Sequence, residues 1–100
     1  MNKNKKQLKA VDFQEYLAEQ LKDPEFKRYY NEHGEQLKIA YQILQLRKNK
    51  KMTQVELARK IGTKQSNVAR MEAGQQNFTI EILQKIAMVF ECKLKIEFLK

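Results

Sequence analysis

The chain has 100 residues and a formal net charge of +8, with 42% hydrophobic and 32% charged side chains. This length accommodates one domain with a modest core and excludes a second full domain. The single cysteine, Cys92, excludes an intramolecular disulfide, and without a signal peptide or an apolar run of about 20 residues we expect a cytoplasmic protein with no membrane segment.

The charge is unevenly distributed along the chain. Residues 1–9 contain four lysines and no acid, whereas residues 10–34 contain three basic and six acidic side chains. Residues 35–75 reverse this balance, with nine basic against three acidic side chains. An acidic segment followed by a basic one predicts two surfaces with different partners.

The first predicted helix follows a basic flexible tail, which we assign to residues 1–11 because they are polar and rich in lysine. The helix is expected to begin near Asp12, which together with Glu15 resembles a capping arrangement. Its apolar side chains recur at helical spacing. They are Phe13, Tyr16, Leu17 and Leu21.

A second helix is predicted after Asp23-Pro24, because Asp caps helices and Pro is preorganised for the first helical position. It carries three aromatic side chains, Phe26, Tyr29 and Tyr30. His33-Gly34 is expected to end or bend it. The helix that follows, over about residues 35–48, has apolar side chains on two faces and therefore needs two neighbours.

The residues that carry the functional prediction lie in the second half of the chain. Thr53 and Glu56 form a capping box for a short helix, and Gly62 supplies a left-handed turn after about two helical turns. A second short helix, capped by Thr63, ends at Gly74. Two short helices joined by a glycine turn predict a helix-turn-helix unit, whose second helix lies in the major groove of DNA.

The outer face of that second helix is rich in amide and basic groups. Gln can pair with adenine N6 and N7, and Arg with guanine O6 and N7. The predicted outward side chains are Lys64, Gln65, Ser66, Asn67 and Arg70. The basic run from Arg47 to Lys51, including Lys50, is either a solvated loop or a phosphate contact.

Residues 52–74 resemble the lambda-repressor and Cro-like helix-turn-helix family, also called the XRE family. The family pattern is Thr-Gln-x-x-Leu-Ala-x-x-x-Gly-x-x-Gln-x-x-Val/Ile-x-x-x-Glu-x-Gly, and nearly every patterned position matches. The resemblance implies that Gln54 contacts the phosphate backbone, and that Arg70 reaches a base or a phosphate. It also implies a mainly α fold, with a five-helix-type DNA-binding domain that we assign to residues 35–91.

The C-terminal segment is predicted to follow a helix capped by Thr79. Over residues 92–100 the pattern changes to alternation of apolar and charged side chains, which predicts a half-buried strand. No second strand is evident, so the strand either pairs with a second copy or another sheet, or folds onto its own core. The candidate dimerisation residues are Leu94, Ile96 and Phe98. A homodimer would place two recognition helices about 34 Å apart on a palindromic operator.

The stretch Leu-Lys-Asp-Pro-Glu-Phe-Lys-Arg-Tyr-Tyr at residues 21–30 is similar to the segment that precedes the helix-turn-helix in HigA-like antitoxins of type II toxin-antitoxin systems. The resemblance implies an antitoxin that neutralises a RelE/HigB-like mRNA-cleaving toxin and represses its own operon on double-stranded DNA. An acidic, aromatic helix pair over residues 12–34 suits a basic partner. The candidate partner-binding residues are Phe13, Tyr16, Leu17, Leu21, Phe26, Tyr29 and Tyr30.

The sequence is compatible with one alternative function and disfavours another. A stand-alone XRE-family repressor, in which the N-terminal helices only extend the core, explains the DNA-binding motif equally well. An enzyme is disfavoured, because one His33 and one distant Cys92 do not form a metal or nucleophile site, and we predict no cofactor.

Overall fold

The structure, a computed structural model, describes residues 10–100, with side chains from Phe13 onward. The described residues form five α-helices: α1 (Ala10–Gln20), α2 (Pro24–Asn49), α3 (Gln54–Ile61), α4 (Gln65–Glu72) and α5 (Ile80–Val89). The mainly α prediction is confirmed. The tail predicted over residues 1–11 lies outside the described residues, apart from residues 10 and 11 in α1. Within the described range, no helix has the length and apolarity to cross a bilayer.

Helix α1 begins earlier than the sequence predicts. Ala10, the first described residue, is already helical, so Asp12 lies inside the helix and the predicted capping arrangement with Glu15 is wrong. Alanine is the strongest helix former, and residues 10–12 contain no glycine or proline to stop the helix from extending past Asp12.

Helix α2 begins at the predicted signal and bends at the predicted site. The carboxylate of Asp23 accepts a hydrogen bond from the backbone N–H of Glu25 at 3.0 Å, and Pro24 occupies the first turn. The interruption at His33-Gly34 bends the helix without ending it: His33 has φ −130° and ψ 32°, and helical backbone continues beyond it. One bent helix therefore connects the N-terminal segment with the core.

Helices α3 and α4 meet at the predicted glycine turn. The Thr53 hydroxyl accepts the Glu56 N–H at 3.0 Å, and the Glu56 carboxylate accepts the Thr53 N–H at 2.8 Å, which confirms the capping box. Gly62 is left-handed (φ 76°), and Gly74 is left-handed (φ 72°) after α4. A Cβ at Gly74 would lie 2.5 Å from Cδ2 of Leu37, so glycine here also lets α2 pack closely against the end of α4.

The N-cap of helix α4 lies one residue later than predicted, at Lys64 instead of Thr63. Lys64 occupies the N-cap position, where its side chain makes no capping hydrogen bond within the described chain, and the prediction that Thr63 caps the helix is wrong. The backbone N–H of Thr63 instead donates to the carbonyl oxygen of Ala58 at 2.9 Å and closes the end of α3. The Thr63 hydroxyl accepts the side-chain amide of Asn67 at 2.7 Å. Thr63 thus completes the turn before α4.

One hydrophobic core lies among α2, α3, α4 and α5. Leu57 of α3 and Val68 of α4 are completely buried at its centre. The buried members are Ile43, Leu57, Ala58, Ile61, Val68, Met71, Ile86 and Phe90. Because α3 and α4 each place an apolar stripe in this core, their opposite faces are directed outward in a fixed relative orientation.

The C-terminal segment carries no regular structure in the single chain. Thr79 caps α5 as predicted, accepting the Ile82 N–H at 3.1 Å, but residues 92–100 of the described chain form no strand. Leu94 and Ile96 border a cavity of about 180 Å³ against α2 and α5. Phe98, by contrast, is 99% exposed. A strand requires a second strand for its hydrogen bonds, and residues 10–100 supply none.

Candidate nucleic-acid interface

The outer face of α4 presents the side chains that the sequence predicts for DNA contact. Val68 and Met71 anchor the inner face in the core. On the opposite side the structure brings together four exposed residues, Lys64, Gln65, Ser66 and Arg70, with Asn67 half-buried beside them. The first turn of α4 also directs N–H groups and the positive end of the helix dipole outward, which favours a phosphate nearby.

A chain of side-chain hydrogen bonds fixes the start of α3 relative to the start of α4. The Gln65 amide nitrogen donates to Oε1 of Gln54 at 2.6 Å, and the Gln54 amide nitrogen donates to Oε1 of Glu72 at 3.0 Å. Both glutamines are held in defined orientations before any ligand arrives. Such preorganisation reduces the entropy that is lost on binding.

The chain of hydrogen bonds ends in an ion pair between α2 and α4. Arg47 donates from Nε to Oε2 of Glu72 at 2.6 Å and from Nη1 to the carbonyl oxygen of Met52 at 2.8 Å. The hydrogen bond to Glu72 raises the pKa of Arg47 above its ordinary value. Arg47 is therefore engaged inside the protein and is neither solvated nor free to bind phosphate, unlike the prediction for the basic run 47–51.

Sequence reasoning missed this ion pair, although one signal was present. Glu72 lies in the last turn of α4, where the negative end of the helix dipole disfavours a carboxylate. An acid at that position calls for a cationic partner. The sequence does not say which of the nearby basic residues supplies it, because Arg47 lies 25 residues away.

The remaining basic residues of the turn between α2 and α3 are exposed. Lys50 and Lys51 lie directly before the helix that carries Gln54. Lys51 has a left-handed backbone (φ 55°), which sharpens the turn. Exposed ammonium groups next to the helix that carries the half-buried Gln54 form a surface suited to a phosphate backbone.

Arg70 is the most C-terminal of the predicted DNA-contacting residues, and other side chains hold it. Its Nη2 donates to Oδ1 of Asn67 one turn earlier, and its Nε donates to Oε1 of Gln76 at 3.2 Å. Asn67 in turn donates to Thr63 at 2.7 Å. The guanidinium is exposed but oriented by both its own helix and the following loop.

The structure divides the candidate partner-binding residues into three groups, which are buried, exposed and half-buried. Phe13 and Leu17 are buried, and the Phe13 ring lies 5.3 Å from that of Tyr41 on α2, so neither side chain lies on the surface that a partner would meet. Tyr16 is 40% exposed, with its ring 4.9 Å from that of Tyr41. The half-buried members are Leu21, Phe26, Tyr29 and Tyr30.

Comparisons with known proteins also indicate a helix-turn-helix domain. Residues 43–96 match the family model described as helix-turn-helix. The chain is also 28% identical over 86 residues to the Antitoxin HigA1 of Mycobacterium tuberculosis, in the strains CDC 1551 / Oshkosh and ATCC 25618 / H37Rv. The match covers 85% of this chain but 58% of each relative, so the chain spans little more than half their length. No solved structure matches the chain. Because the family model covers more than half of the sequence, the chain belongs to the helix-turn-helix family and carries a DNA-binding domain of the XRE type.

Proposed function

We propose that this protein is the antitoxin of a type II toxin-antitoxin system. In this proposal the protein represses its own operon and neutralises a RelE/HigB-like mRNA-cleaving toxin. The observation that carries the proposal is the extent of the similarity to Antitoxin HigA1. The alignment covers 85% of the chain, so it extends beyond residues 43–96 and must include all of α2 and the end of α1. The likeness therefore extends into the acidic N-terminal segment, which lies outside the part of the chain matched by the helix-turn-helix model.

In the DNA-binding half of the proposal, α4 enters the major groove. Gln65 is suited to adenine through two hydrogen bonds, and Arg70 to guanine or a phosphate. Gln54, Lys50 and Lys51 would contact the phosphate backbone. The proposed DNA surface also includes Thr63, Lys64, Ser66 and Asn67. Binding to the operator would place the protein at the nucleoid.

A homodimer fits this mode of binding. Two copies can present two recognition helices one DNA turn apart, about 34 Å, to a palindromic operator. Residues 92–100 alternate apolar and charged side chains and are exposed in the single chain. Pairing of this segment between two copies would satisfy its backbone hydrogen bonds and cover Leu94, Ile96 and Phe98.

The toxin-binding half of the proposal rests on charge and on exposed aromatic surface. Residues 10–34 contain six acidic and three basic side chains. An RNA-cleaving partner needs a basic surface, and charge complementarity speeds and orients such encounters. Tyr16 and Phe26 offer aromatic surface within this acidic region, the kind of group that dominates binding energy at interfaces.

Co-expression with the neighbouring small reading frame tests the proposal. Wild-type protein should restore growth that the neighbouring product suppresses, and the two should co-purify. Tyr16→Ser should weaken rescue and co-purification while operator binding is retained. Gln65→Ala should do the reverse, with rescue kept and operator binding weakened.

Two outcomes would contradict the proposed antitoxin function or the roles proposed for its helices. If the neighbouring product is not toxic, or if it is neither bound nor neutralised while operator DNA is bound, the protein is a stand-alone repressor. If rescue fails equally with Tyr16→Ser and Gln65→Ala, the division of labour between the N-terminal helices and α4 is wrong.

A further inference from the structure

The loop after α4, residues 73–79, is fastened to the first half of the chain. The hydroxyl of Tyr29 donates a hydrogen bond to the carbonyl oxygen of Gly74, 45 residues away. The side-chain amide of Gln36 donates to Oδ1 of Asn77, 41 residues away. Both donors belong to α2 and lie on either side of its bend at His33.

The same loop holds Arg70 from the other side. The Nε of Arg70 donates to Oε1 of Gln76 at 3.2 Å, and the carbonyl oxygen of Arg70 accepts the Gln75 N–H at 3.0 Å. The orientation of the Arg70 guanidinium therefore depends in part on Gln76. The next residue along the chain, Asn77, is hydrogen-bonded to Gln36 of α2.

Close packing leaves the loop little room to shift without α2. Gly74 is buried and left-handed, and a Cβ on it would lie 2.5 Å from Cδ2 of Leu37. The backbone at the start of the loop thus lies directly against the helix that carries Tyr29 and Gln36.

We propose that Tyr29 and Gln36 are positioning residues for DNA recognition: by fixing the loop they set the orientation of Arg70 at the DNA surface. This inference rests on the proposed role of α4 in operator binding. Two parallel hydrogen bonds from an arginine to guanine require a defined guanidinium plane, so a loosened Arg70 loses selectivity as well as affinity.

A double-mutant cycle on the full chain tests the inference. The probe is the DNA duplex that the wild-type chain selects from a randomised library, and affinity is measured by fluorescence anisotropy. Tyr29→Phe removes one hydroxyl and keeps the ring, whose centroid lies 4.4 Å from that of the His33 ring. Loss of one hydrogen bond should weaken binding about two- to tenfold. In an Arg70→Ala background, the same change should have no further effect.

The readout that separates positioning from general stability is the base preference. Tyr29→Phe should relax selectivity at the base pair where Arg70→Ala relaxes it, and leave selectivity unchanged elsewhere. Gln36→Ala should act in the same direction. Because the Gln36–Asn77 hydrogen bond lies at the surface, this second variant can test the inference even if Tyr29→Phe lowers the melting temperature. Gln14→Ala, an exposed amide on α1, is the matched control and should bind as wild type.

The inference is overturned if Tyr29→Phe and Gln36→Ala leave affinity and selectivity unchanged. It is also overturned if their effects are as large without Arg70 as with it, or if they weaken binding to all duplexes uniformly. A wild-type chain that selects no DNA sequence would instead refute the proposed operator binding, so the two failures are distinguishable.

Discussion

Arg47 and Glu72 are joined by two hydrogen bonds, 2.6 Å from Nε to Oε2 and 2.9 Å from Nη2 to Oε1. Their side chains are only 12% and 5% exposed. The pair connects the end of α2 to the end of α4, and Glu72 also accepts a hydrogen bond from Gln54. One interior contact thus supports both the packing of α4 and the orientation of the proposed DNA surface.

Replacing Glu72 with alanine should destabilise the protein substantially. The change leaves the largely buried guanidinium of Arg47 without its anionic partner, and breaking a buried ion pair in this way costs about 3 kcal/mol or more. Urea denaturation measures the loss. Glu81→Ala, which removes an exposed pair with Lys85 at 4.0 Å, is the control and should change stability by less than about 1 kcal/mol. Equal effects of the two substitutions would show that the Arg47–Glu72 pair is not a stabilising contact.

Gln65→Ala should lower operator affinity by roughly 1 to 3 kcal/mol and relax the preference at one base pair. Gln65 is exposed at the start of α4 and is held by Gln54 at 2.6 Å, so its loss removes a preorganised base contact. Competition binding against single-base variants of the operator measures both effects. Gln84→Ala, an exposed amide on α5, serves as the control. Unchanged affinity and unchanged preference would rule out a base contact by Gln65.

Lys50→Ala should weaken binding to all DNA sequences alike. A lysine that neutralises one phosphate releases about one counterion, so the slope of log K against log salt should become less steep by about one. Titrations at several salt concentrations measure the slope. Lys27→Ala removes the same charge from the acidic N-terminal region and should change the slope less. A loss confined to particular sequences would be incompatible with a phosphate contact at Lys50.

Glu56 should make the stability of the domain pH-dependent. The backbone hydrogen bond from Thr53 is the main cause that lowers the pKa of Glu56 in the folded state. The folded pKa lies below the unfolded one, so the stabilisation is complete at neutral pH, begins to fade near pH 4.3, the ordinary value for Glu, and is lost once the pH falls below the folded pKa.

Thermal unfolding of wild type and Glu56→Gln across this pH range checks the assignment. The stability difference between the two proteins should be largest at neutral pH and shrink as the solution is acidified. A difference that stays constant, or that grows on acidification, would mean that the capping carboxylate is not responsible.

Deleting residues 93–100 should convert a dimer into a monomer if this segment pairs between copies. Light scattering coupled to size-exclusion chromatography reports the mass. Ile96→Pro provides a full-length version of the test, because proline removes a backbone donor from a strand. A dimer that survives both changes would exclude strand pairing as its basis.

Local features were predictable from the sequence because each depends on residues a few positions apart. Asp23 and Thr53 cap the helices expected of them, and Gly62 adopts the left-handed conformation that the turn requires. Even here neighbouring groups compete. Thr63 does not cap α4: Lys64 occupies the N-cap position, and the Thr63 hydroxyl accepts the side-chain amide of Asn67 at 2.7 Å instead.

The tertiary structure alone decided which side chains meet. The basic run before the motif could not reveal that Arg47 turns inward to Glu72, and the aromatic pattern could not separate the buried Phe13 from the exposed Tyr16. Tyr29 likewise gave no sign of its bond to Gly74, 45 residues away. The physical reason is that capping and periodicity act within one or two helical turns, whereas the partner of a long side chain depends on how the helices pack.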